Sequence, residues 1–343
     1  MPHFDWLSVT TVKLFQMNEQ EQEFYSKSAE SKYGKKIHKF TRTKEALIKL
    51  FFTLNGVAAL VFIVLIFIFL FKEGFRALEH IGLLDFLYTT RTDANGVAKS
   101  IYEWYPTSDE PRYSLIPLVL GTLLTSIPAT IISTIFGVAA GIYLSEIANP
   151  KWKEFLKPMI ELFAGIPTVV LGFIMLVFGA SFFNDLLHPD NRLNAFIASI
   201  GLSFVIIPII ASLTEDALHS IPNDLRMASY GLGATKWQTI SKVILPAAFS
   251  GVSASIILGF GRAIGETMIV LMAAGNAANI TSNIFLSVRT MTATIAAEMG
   301  EVSQGSDHYY SLFFIGIVLF TITFILNLIA EIIINKMRKK NTF

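Results

Sequence analysis

The chain has 343 residues, of which 53% are hydrophobic and 15% are charged, and its formal net charge is +1. Soluble domains usually carry about a quarter charged residues, so this composition argues against a soluble protein, and the near-neutral charge argues against a nucleic-acid partner. Cysteine is absent, which excludes disulfides, cysteine-ligated zinc and thiol catalysis.

Six apolar segments are long enough to cross a bilayer, whose hydrocarbon core of about 30 Å requires about 20 apolar residues in a helix. In chain order they are Phe51–Phe71, Ser114–Ser145, Leu162–Phe183, Leu193–Leu213, Ala247–Gly275 and Tyr309–Ala330. Arg262 and Glu266 interrupt the fifth segment. The predicted fold is therefore all-α, a polytopic membrane protein with six transmembrane helices.

Lysine and arginine are concentrated in segments that a six-span topology puts on one side of the membrane. They precede the first span, follow the second and follow the sixth, at Lys32, Lys35, Lys36, Lys39, Arg42, Lys44, Lys49, Lys151, Lys153, Lys157, Lys336, Arg338, Lys339 and Lys340. Because basic loops remain in the cytoplasm, we expect a multi-pass protein of the bacterial cytoplasmic membrane with both termini in the cytoplasm.

These patterns divide the chain into three parts. Residues 1–46 form a polar and basic cytoplasmic segment, residues 47–335 form the transmembrane domain, and residues 336–343 form a basic cytoplasmic tail. The lysines of the first part would contact anionic lipid headgroups. Between the first two spans, the apolar stretch 81–87 predicts a short helix at the outer surface.

The polar loop between the fourth and fifth spans carries the signals of two short helices. The residues after Pro222 predict a helix start, and Gly233 supplies the left-handed conformation that ends this helix. Thr235 is placed to cap a second helix. Pro246 would end or kink that helix where the fifth span begins.

This loop resembles the coupling segment of ABC-importer permeases, in which Glu-Ala-Ala is followed by three residues, Gly, nine residues and Ile-x-Leu-Pro. The positions that correspond to this pattern, all at the expected spacing, are Met227, Ala228, Ser229, Gly233, Val243, Leu245 and Pro246. Met227 departs from the pattern because it stands where the family has glutamate. Small Ala228 and Ser229 on one helix face would let the surface of another protein approach closely.

The resemblance implies a type I ABC-importer permease fold, with a permease core over about residues 117–332 and a coupling loop over residues 214–246. It also implies that this loop seats in a separate ATPase subunit. The sequence has no Gly-x-x-x-x-Gly-Lys-Ser/Thr phosphate loop. We therefore expect no enzymatic activity and no cofactor on this chain, with ATP and magnesium bound by the partner ATPase.

The charges inside the fifth span allow two interpretations. Arg262 and Glu266 are four residues apart, so they share a helix face and are able to pair. In the first interpretation, Arg262 contacts an oxyanion in a translocation path, and Glu266 holds the guanidinium in position when the path is empty. Arginine suits an oxyanion because it stays charged and presents a forked set of N–H donors. In the second, the pair is an internal salt bridge that fixes helix packing. Gly259, Gly261 and Gly265 leave room for close packing or for a solute.

Resemblance over further stretches of the chain indicates which substrate is transported. Residues 262–268 resemble the corresponding stretch of phosphate-specific importer permeases, as do residues 161–167 and 291–298. Such importers pair two related permeases, and this chain is more similar to the C-type subunit than to the A-type. We assign to the substrate path Arg262, Glu266 and Thr267.

The resemblance also implies partners. They are a second related permease subunit, two ABC ATPase subunits, an extracytoplasmic phosphate-binding protein and membrane lipid. Glu161, near the cytoplasmic end of the third span, is a candidate gating residue, and its alternative role is a contact with the membrane interface.

Several alternatives to phosphate import stay open. The chain could be an ABC permease for another oxyanion, such as sulfate or molybdate, because most discrimination would lie in the external receptor. A secondary transporter driven by an ion gradient would require proton-relay acids and repeated broken helices, and it leaves the coupling loop unexplained. A membrane-embedded enzyme would need a catalytic cluster that the sequence lacks, and the scattered histidines predict no metal site.

Overall fold

The protein is described by a computed structural model that covers residues 35–92 and 98–340. The chain divides into two compact units, residues 1–68 and 69–343. In the first unit the described residues belong to helix α1, Lys35–His80, which continues into the second unit. The side chains of residues 44–68 are exposed and mostly apolar, as lipid requires. Most of the predicted N-terminal segment, residues 1–34, and the last three residues of the predicted tail lie outside the described residues.

The second unit is mainly helical. Its helices are α2 Ile116–Ile142, α3 Pro150–Ala164, α4 Thr168–Ile174, α5 Ala180–Leu187, α6 Ala195–His219, α7 Asn223–Gly231, α8 Lys236–Thr239, α9 Leu245–Ala247, α10 Phe249–Gly265, α11 Met268–Ala273, α12 Met291–Glu298 and α13 Asp307–Lys340. Single π-helical turns extend α2 and join α4 to α5 and α8 to α9.

Among the described residues, five helical segments are long and apolar enough to cross a membrane. They are Lys44–His80, Ile116–Ile147, Thr168–Leu187, Ala195–His219 and Asp307–Ile332. A sixth span results if the pair Lys236–Ala247 and Phe249–Gly265, bent by 70°, is counted as one. This agrees with the predicted all-α polytopic fold.

The third span differs from the prediction, which began it at Leu162. The structure places Leu162 in the separate helix α3, and the span begins at Thr168. Pro167 interrupts the helix because proline disfavours helical backbone in the preceding residue and lacks an N–H donor. The apolar residues at the end of α3 therefore precede the third span, Thr168–Leu187, which the prediction began too early.

The fifth predicted span, Ala247–Gly275, is also not one helix. It bends after Pro246 and then breaks at Glu266 and Thr267, between α10 and α11. The bend follows the predicted effect of Pro246. The break at the charged pair was not predicted.

The connection between α1 and α2 contains structure that the sequence did not predict. Residues 83–87 form turns rather than the predicted short helix, and Gly82 before them has a φ of +87°. Two antiparallel hairpins follow, β1 Thr89–Thr92 with β2 Ala98–Ile101, and β3 Trp104–Tyr105 with β4 Arg112–Tyr113. Phe86 is buried because its ring packs on Phe314 of α13, at 4.3 Å between ring centroids.

Helices α2 and α6 pack closely through glycine. A Cβ atom on Gly137 would lie 2.8 Å from Cβ of Ile210, and one on Gly141 would lie 2.7 Å from Cβ of Thr214. Both separations are too short for real side chains. The two helices therefore form a close-packed centre, against which α10 is also packed through Gly259.

Candidate functional site

The end of the bundle defined by Glu146, Lys157, Asp216 and Arg226, here termed the proximal end, carries the loop that resembles a coupling segment. Helix α7 begins directly after Pro222 and α8 begins directly after Thr235, as predicted, but α8 ends at Thr239, and a π-helical turn and α9 continue it past Pro246. Gly233 adopts the predicted left-handed conformation, with a φ of +82°. Thr235 caps α8 through a capping box, in which its Oγ1 accepts from Gln238 N at 3.3 Å and Gln238 Oε1 accepts from Thr235 N at 2.8 Å.

The predicted role of Ser229 as an outer contact residue is wrong. Its side chain is buried, and its hydroxyl lies 2.9 Å from Oγ1 of Thr239, joining α7 to the chain after Thr235. Ala228 remains exposed, so it keeps its predicted place on the outer face.

Several large apolar side chains of this loop are exposed, among exposed polar ones such as Asp224, Lys236 and Gln238. The apolar set, here termed the coupling face, consists of Leu225, Met227, Tyr230, Leu232 and Trp237. Leu232, at the turn between the helices, is 90% exposed. An exposed apolar patch of this kind on a polar loop indicates a protein–protein contact.

Arg226 fixes this loop to two spans. Its Nη2 lies 2.6 Å from Oε1 of Glu146, in the π-helical turn that extends α2. The same guanidinium donates to the carbonyl oxygens of Leu218 and Ile221, at 2.9 Å and 2.6 Å. Since Glu146 is also largely buried, the loop, α2 and α6 are held together by charge-assisted hydrogen bonds.

A second ion-pair cluster ties α3 to α6 at the proximal end. The two carboxylate oxygens of Glu215 lie 2.6 Å from Nζ of Lys153 and 2.5 Å from Nζ of Lys157. Lys157 also contacts Asp216 at 3.0 Å. The hydrogen bond to Glu215 raises the pKa of Lys157 above its ordinary value. The Glu215 side chain is only 2% exposed, so these lysines compensate a buried charge.

Leu245 and Pro246 lie where the loop meets α10. Leu245 packs against a small apolar cluster that contains Leu218 and Val252. Pro246 is exposed, and the bend follows directly after it. The two residues therefore fix the angle at which the coupling loop joins α10.

The predicted ion pair in the fifth span is present, at the point where the span breaks. Nη2 of Arg262 lies 3.4 Å from Oε2 of Glu266. The helix ends at Gly265, and the second carboxylate oxygen of Glu266 accepts from the backbone N–H groups of Thr267 and Met268, at 3.1 Å and 3.2 Å. The Glu266 side chain therefore bonds to residues on both sides of the break, and it satisfies backbone N–H groups that lipid would leave unpaired.

Arg262 and Glu266 differ in exposure. The Glu266 side chain is 4% exposed and that of Arg262 is 47% exposed. Of the three nearby glycines, Gly259 packs tightly on Ile206 and Ile210, whereas a Cβ on Gly265 would meet nothing within 4 Å. The Arg262 side chain is therefore half-exposed at the break, whereas the Glu266 side chain is buried.

Glu161 lies in α3, four residues before the break at Gly165 that precedes α4. It is exposed, and within the described part of the chain its carboxylate has no hydrogen bond or ion pair. Its assignment as a gating residue stays a prediction.

The opposite end of the bundle, here termed the distal end, contains a cluster that the sequence did not single out. Glu298 accepts from Arg289 Nη2 at 2.7 Å and from the indole N–H of Trp104 at 3.1 Å, and its Oε2 lies 2.8 Å from Nε2 of His308. The cluster lines a cavity of about 690 Å³ that also includes Asn276. Burial would raise the pKa of Glu298, but the hydrogen bond from His308, the charge of Arg289 and the Trp104 N–H outweigh it and hold that pKa below its ordinary value.

Glu298→Gln should lower the free energy of unfolding by about 3 kcal/mol at neutral pH, because it leaves the largely buried Arg289 without its carboxylate partner. Since the pKa of Glu298 is depressed in the fold, its contribution is present above the ordinary glutamate pKa and is lost as pH falls through the lower folded value. Thermal unfolding of the purified protein over a pH series measures both effects. Glu301→Gln, a substitution at an exposed residue of the same cavity, is the control, and equal melting temperatures for the two variants would contradict the prediction.

Most of the missed contacts join residues that are distant in sequence, although Glu298 also pairs with Arg289 and His308, which are about ten residues from it. Arg226 and Glu146 are separated by 80 residues, and Trp104 and Glu298 by 194. Only Glu215 had a usable signal, because an acid at the end of an apolar run was opposite a lysine-rich loop. For the others, no local pattern indicates the pairing.

Comparison with known proteins gives consistent results. The family model described as binding-protein-dependent transport system inner membrane component matches residues 133–339. The probable ABC transporter permease protein YqgH of Bacillus subtilis is 34% identical over 255 residues, covering 73% of this chain and 80% of that protein. The phosphate transport system permease protein PstC of Pasteurella multocida is 31% identical over 258 residues, covering 69% and 79%.

The fold has a counterpart among solved structures. An inward-facing structure of the MetNI methionine ABC transporter matches with a TM-score of 0.53 and 20% identity, over 65% of this chain and 95% of the matched chain. At this identity the match concerns the fold alone, and it is the fold of type I ABC-importer permeases.

Proposed function

Since this chain belongs to the family of binding-protein-dependent transport system inner membrane components, we propose that it is the permease subunit of an ATP-driven importer of inorganic phosphate. It works with a second, related permease, two ABC ATPase subunits and an extracytoplasmic phosphate-binding protein. ATP is hydrolysed on the partner subunits, and no covalent chemistry takes place on this chain.

The observation that carries the proposal is the coupling face on a loop fixed to the spans. The exposed apolar side chains around Leu232 fit the surface of another protein. Arg226 joins the loop to α2 and α6, so movement of a docked ATPase is transmitted to the spans as a rigid-body rotation. In this arrangement the proximal end faces the cytoplasm, in agreement with the basic residues there.

Phosphate is favoured by two facts. Relatives with about 30% identity are phosphate transport system permeases, and the side chain of Arg262 is half-exposed at the break of the fifth span. A permanently charged, forked donor suits an oxyanion, and Glu266 keeps it oriented when the path is empty. The phosphate dianion thus meets a compensating charge where the membrane is least able to solvate it.

The proposal is tested by uptake of labelled phosphate in phosphate-starved cells that lack this gene and carry the wild-type chain on a plasmid. Uptake should return with the plasmid, stop when ATP is depleted while the ion gradient is kept, and persist when the gradient is collapsed and ATP is kept. Excess unlabelled sulfate or molybdate should leave it unchanged.

Each opposite result points to a particular alternative. Uptake that follows the ion gradient would indicate a secondary transporter. Uptake of sulfate or molybdate in place of phosphate would indicate a permease for that oxyanion. Failure of the purified chain to bind any ABC ATPase subunit would contradict the importer proposal itself.

A further inference from the structure

A buried threonine contacts the break in the fifth span. Oγ1 of Thr292, in the second position of α12, donates to the backbone carbonyl of Glu266 at 2.8 Å. Thr292 is 7% exposed and Glu266 is 5% exposed. The contact therefore joins α12, which comes from the distal end, directly to the residue that pairs with Arg262.

The carbonyl of Glu266 needs such a donor. A helix leaves its last carbonyl groups without intrahelical partners, and α10 ends at Gly265 with Glu266 in an extended conformation, ψ +135°. A buried carbonyl without a partner is unfavourable. The Thr292 hydroxyl supplies the hydrogen bond from a neighbouring segment, in the way that broken helices at membrane depth require.

Thr292 is itself held firmly. Thr290 caps α12, its Oγ1 accepting from Ala293 N at 3.2 Å. The N–H of Met291 donates to Oγ1 of Thr122 in α2, at 3.1 Å. At the preceding residue of α2, Gly121, the backbone of Arg289 lies so close that a Cβ there would collide with the Arg289 carbonyl oxygen. The start of α12 is thus fixed against α2 and has little freedom to shift.

We propose that Thr292 is a positioning residue for anion transport, whose hydroxyl fixes the Glu266 backbone and thereby keeps the Arg262 guanidinium turned toward the substrate path. This inference rests on the proposed function of the chain. Thr292 does not touch the anion. It acts through Glu266, whose side chain makes the ion pair with Arg262 and caps α11.

Thr292→Val keeps the shape of the side chain and removes the hydroxyl, with its bond to the Glu266 carbonyl and its contact with Oγ1 of Thr290 at 3.2 Å. Loss of the bond to Glu266 is expected to raise the KM for phosphate uptake about tenfold, with the maximal rate within about twofold of wild type. Thr292→Ser retains the hydroxyl and should restore the wild-type KM. Thr294→Val is the control, because Thr294 is also buried in the same helix but, among the described residues, its hydroxyl bonds only to the carbonyl of Thr290, the N-cap of α12.

A second measurement does not depend on the substrate. The chain has no cysteine, so Gly265→Cys introduces a single thiol at a position where a side chain meets nothing within 4 Å. Its rate of labelling by a water-soluble thiol reagent in the assembled complex reports the geometry of the break. Addition of Thr292→Val should change this rate several-fold, whereas addition of Thr294→Val or Thr292→Ser should leave it unchanged.

Equal effects of Thr292→Val and Thr294→Val on either readout would overturn the proposal, as would loss of assembly in Thr292→Val alone, which would make the hydroxyl a folding requirement. If the complex carries no phosphate, the proposed function fails. The labelling rates still decide whether Thr292 positions the break.

Discussion

Arg262→Gln is expected to lower ATP-driven phosphate uptake about a hundredfold while the complex still assembles in the membrane. An uncompensated charge at membrane depth costs about 2.5–3.5 kcal/mol on insertion scales, which corresponds to roughly a hundredfold in an equilibrium constant. Without Arg262, the anion meets a neutral amide and the negative charge of Glu266. Labelled-phosphate uptake, normalised to the amount of complex in the membrane, measures the effect.

Assembly should survive because the break does not depend on Arg262 alone. The Glu266 carboxylate keeps its bonds to the N–H groups of Thr267 and Met268, and its carbonyl keeps the bond from Thr292. Arg262→Lys should give intermediate uptake, since lysine keeps the charge and loses the forked geometry. Arg192→Gln, which removes an exposed arginine that bonds to Ser181, is the control. Wild-type uptake in Arg262→Gln would favour the alternative in which the ion pair only fixes helix packing.

Leu232→Asp is expected to abolish uptake by preventing the ATPase subunit from docking. Leu232 is 90% exposed, so an aspartate there leaves the fold of the permease unchanged. In the complex, the carboxylate would be buried in an apolar contact without a partner, which costs at least about 2 kcal/mol and weakens binding about thirtyfold or more. Co-purification of the ATPase with the permease from detergent measures the loss directly.

A charge elsewhere on the same loop provides the comparison. Asn223→Asp adds the same charge at the first position of α7, where an acid is compatible with a helix N-terminus and where the coupling face does not reach. This variant should retain both the ATPase and uptake. Equal ATPase recovery with Leu232→Asp and with wild type would show that the coupling face is not the docking surface.

Features set by composition and by local backbone chemistry could be predicted from the sequence. Uncharged runs located the spans around α2, α6 and α13, because lipid admits few charges over that length. Gly233 and Thr235 defined the two loop helices, because positive φ and N-capping each favour few residue types. The spacing of Arg262 and Glu266 was enough to predict their ion pair.

What could not be predicted depends on contacts between distant segments or on competition between similar patterns. The break at Pro167 was missed because α3 is apolar on one face and continues without a gap in composition into the third span. Ser229 was assigned to the outer face because nothing in the loop indicates which side Thr239 approaches. The position of Thr292 against Glu266 arises only when α12 folds back into the bundle.

Because Arg226 anchors the coupling loop to the spans, the loop should tolerate changes of its length less well than substitutions of its side chains. Arg226 and Leu232 are six residues apart, and the helix between them turns by about 100° per residue. One inserted residue would rotate the docking surface away from the spans that it has to move, even if every original side chain were retained. Met227 is exposed and stands where the coupling segment that this loop resembles has glutamate. This difference changes the chemistry of the surface and leaves its orientation relative to the spans unchanged. Variation in this loop should therefore occur by substitution, and insertions or deletions within α7 should uncouple the ATPase even where docking persists.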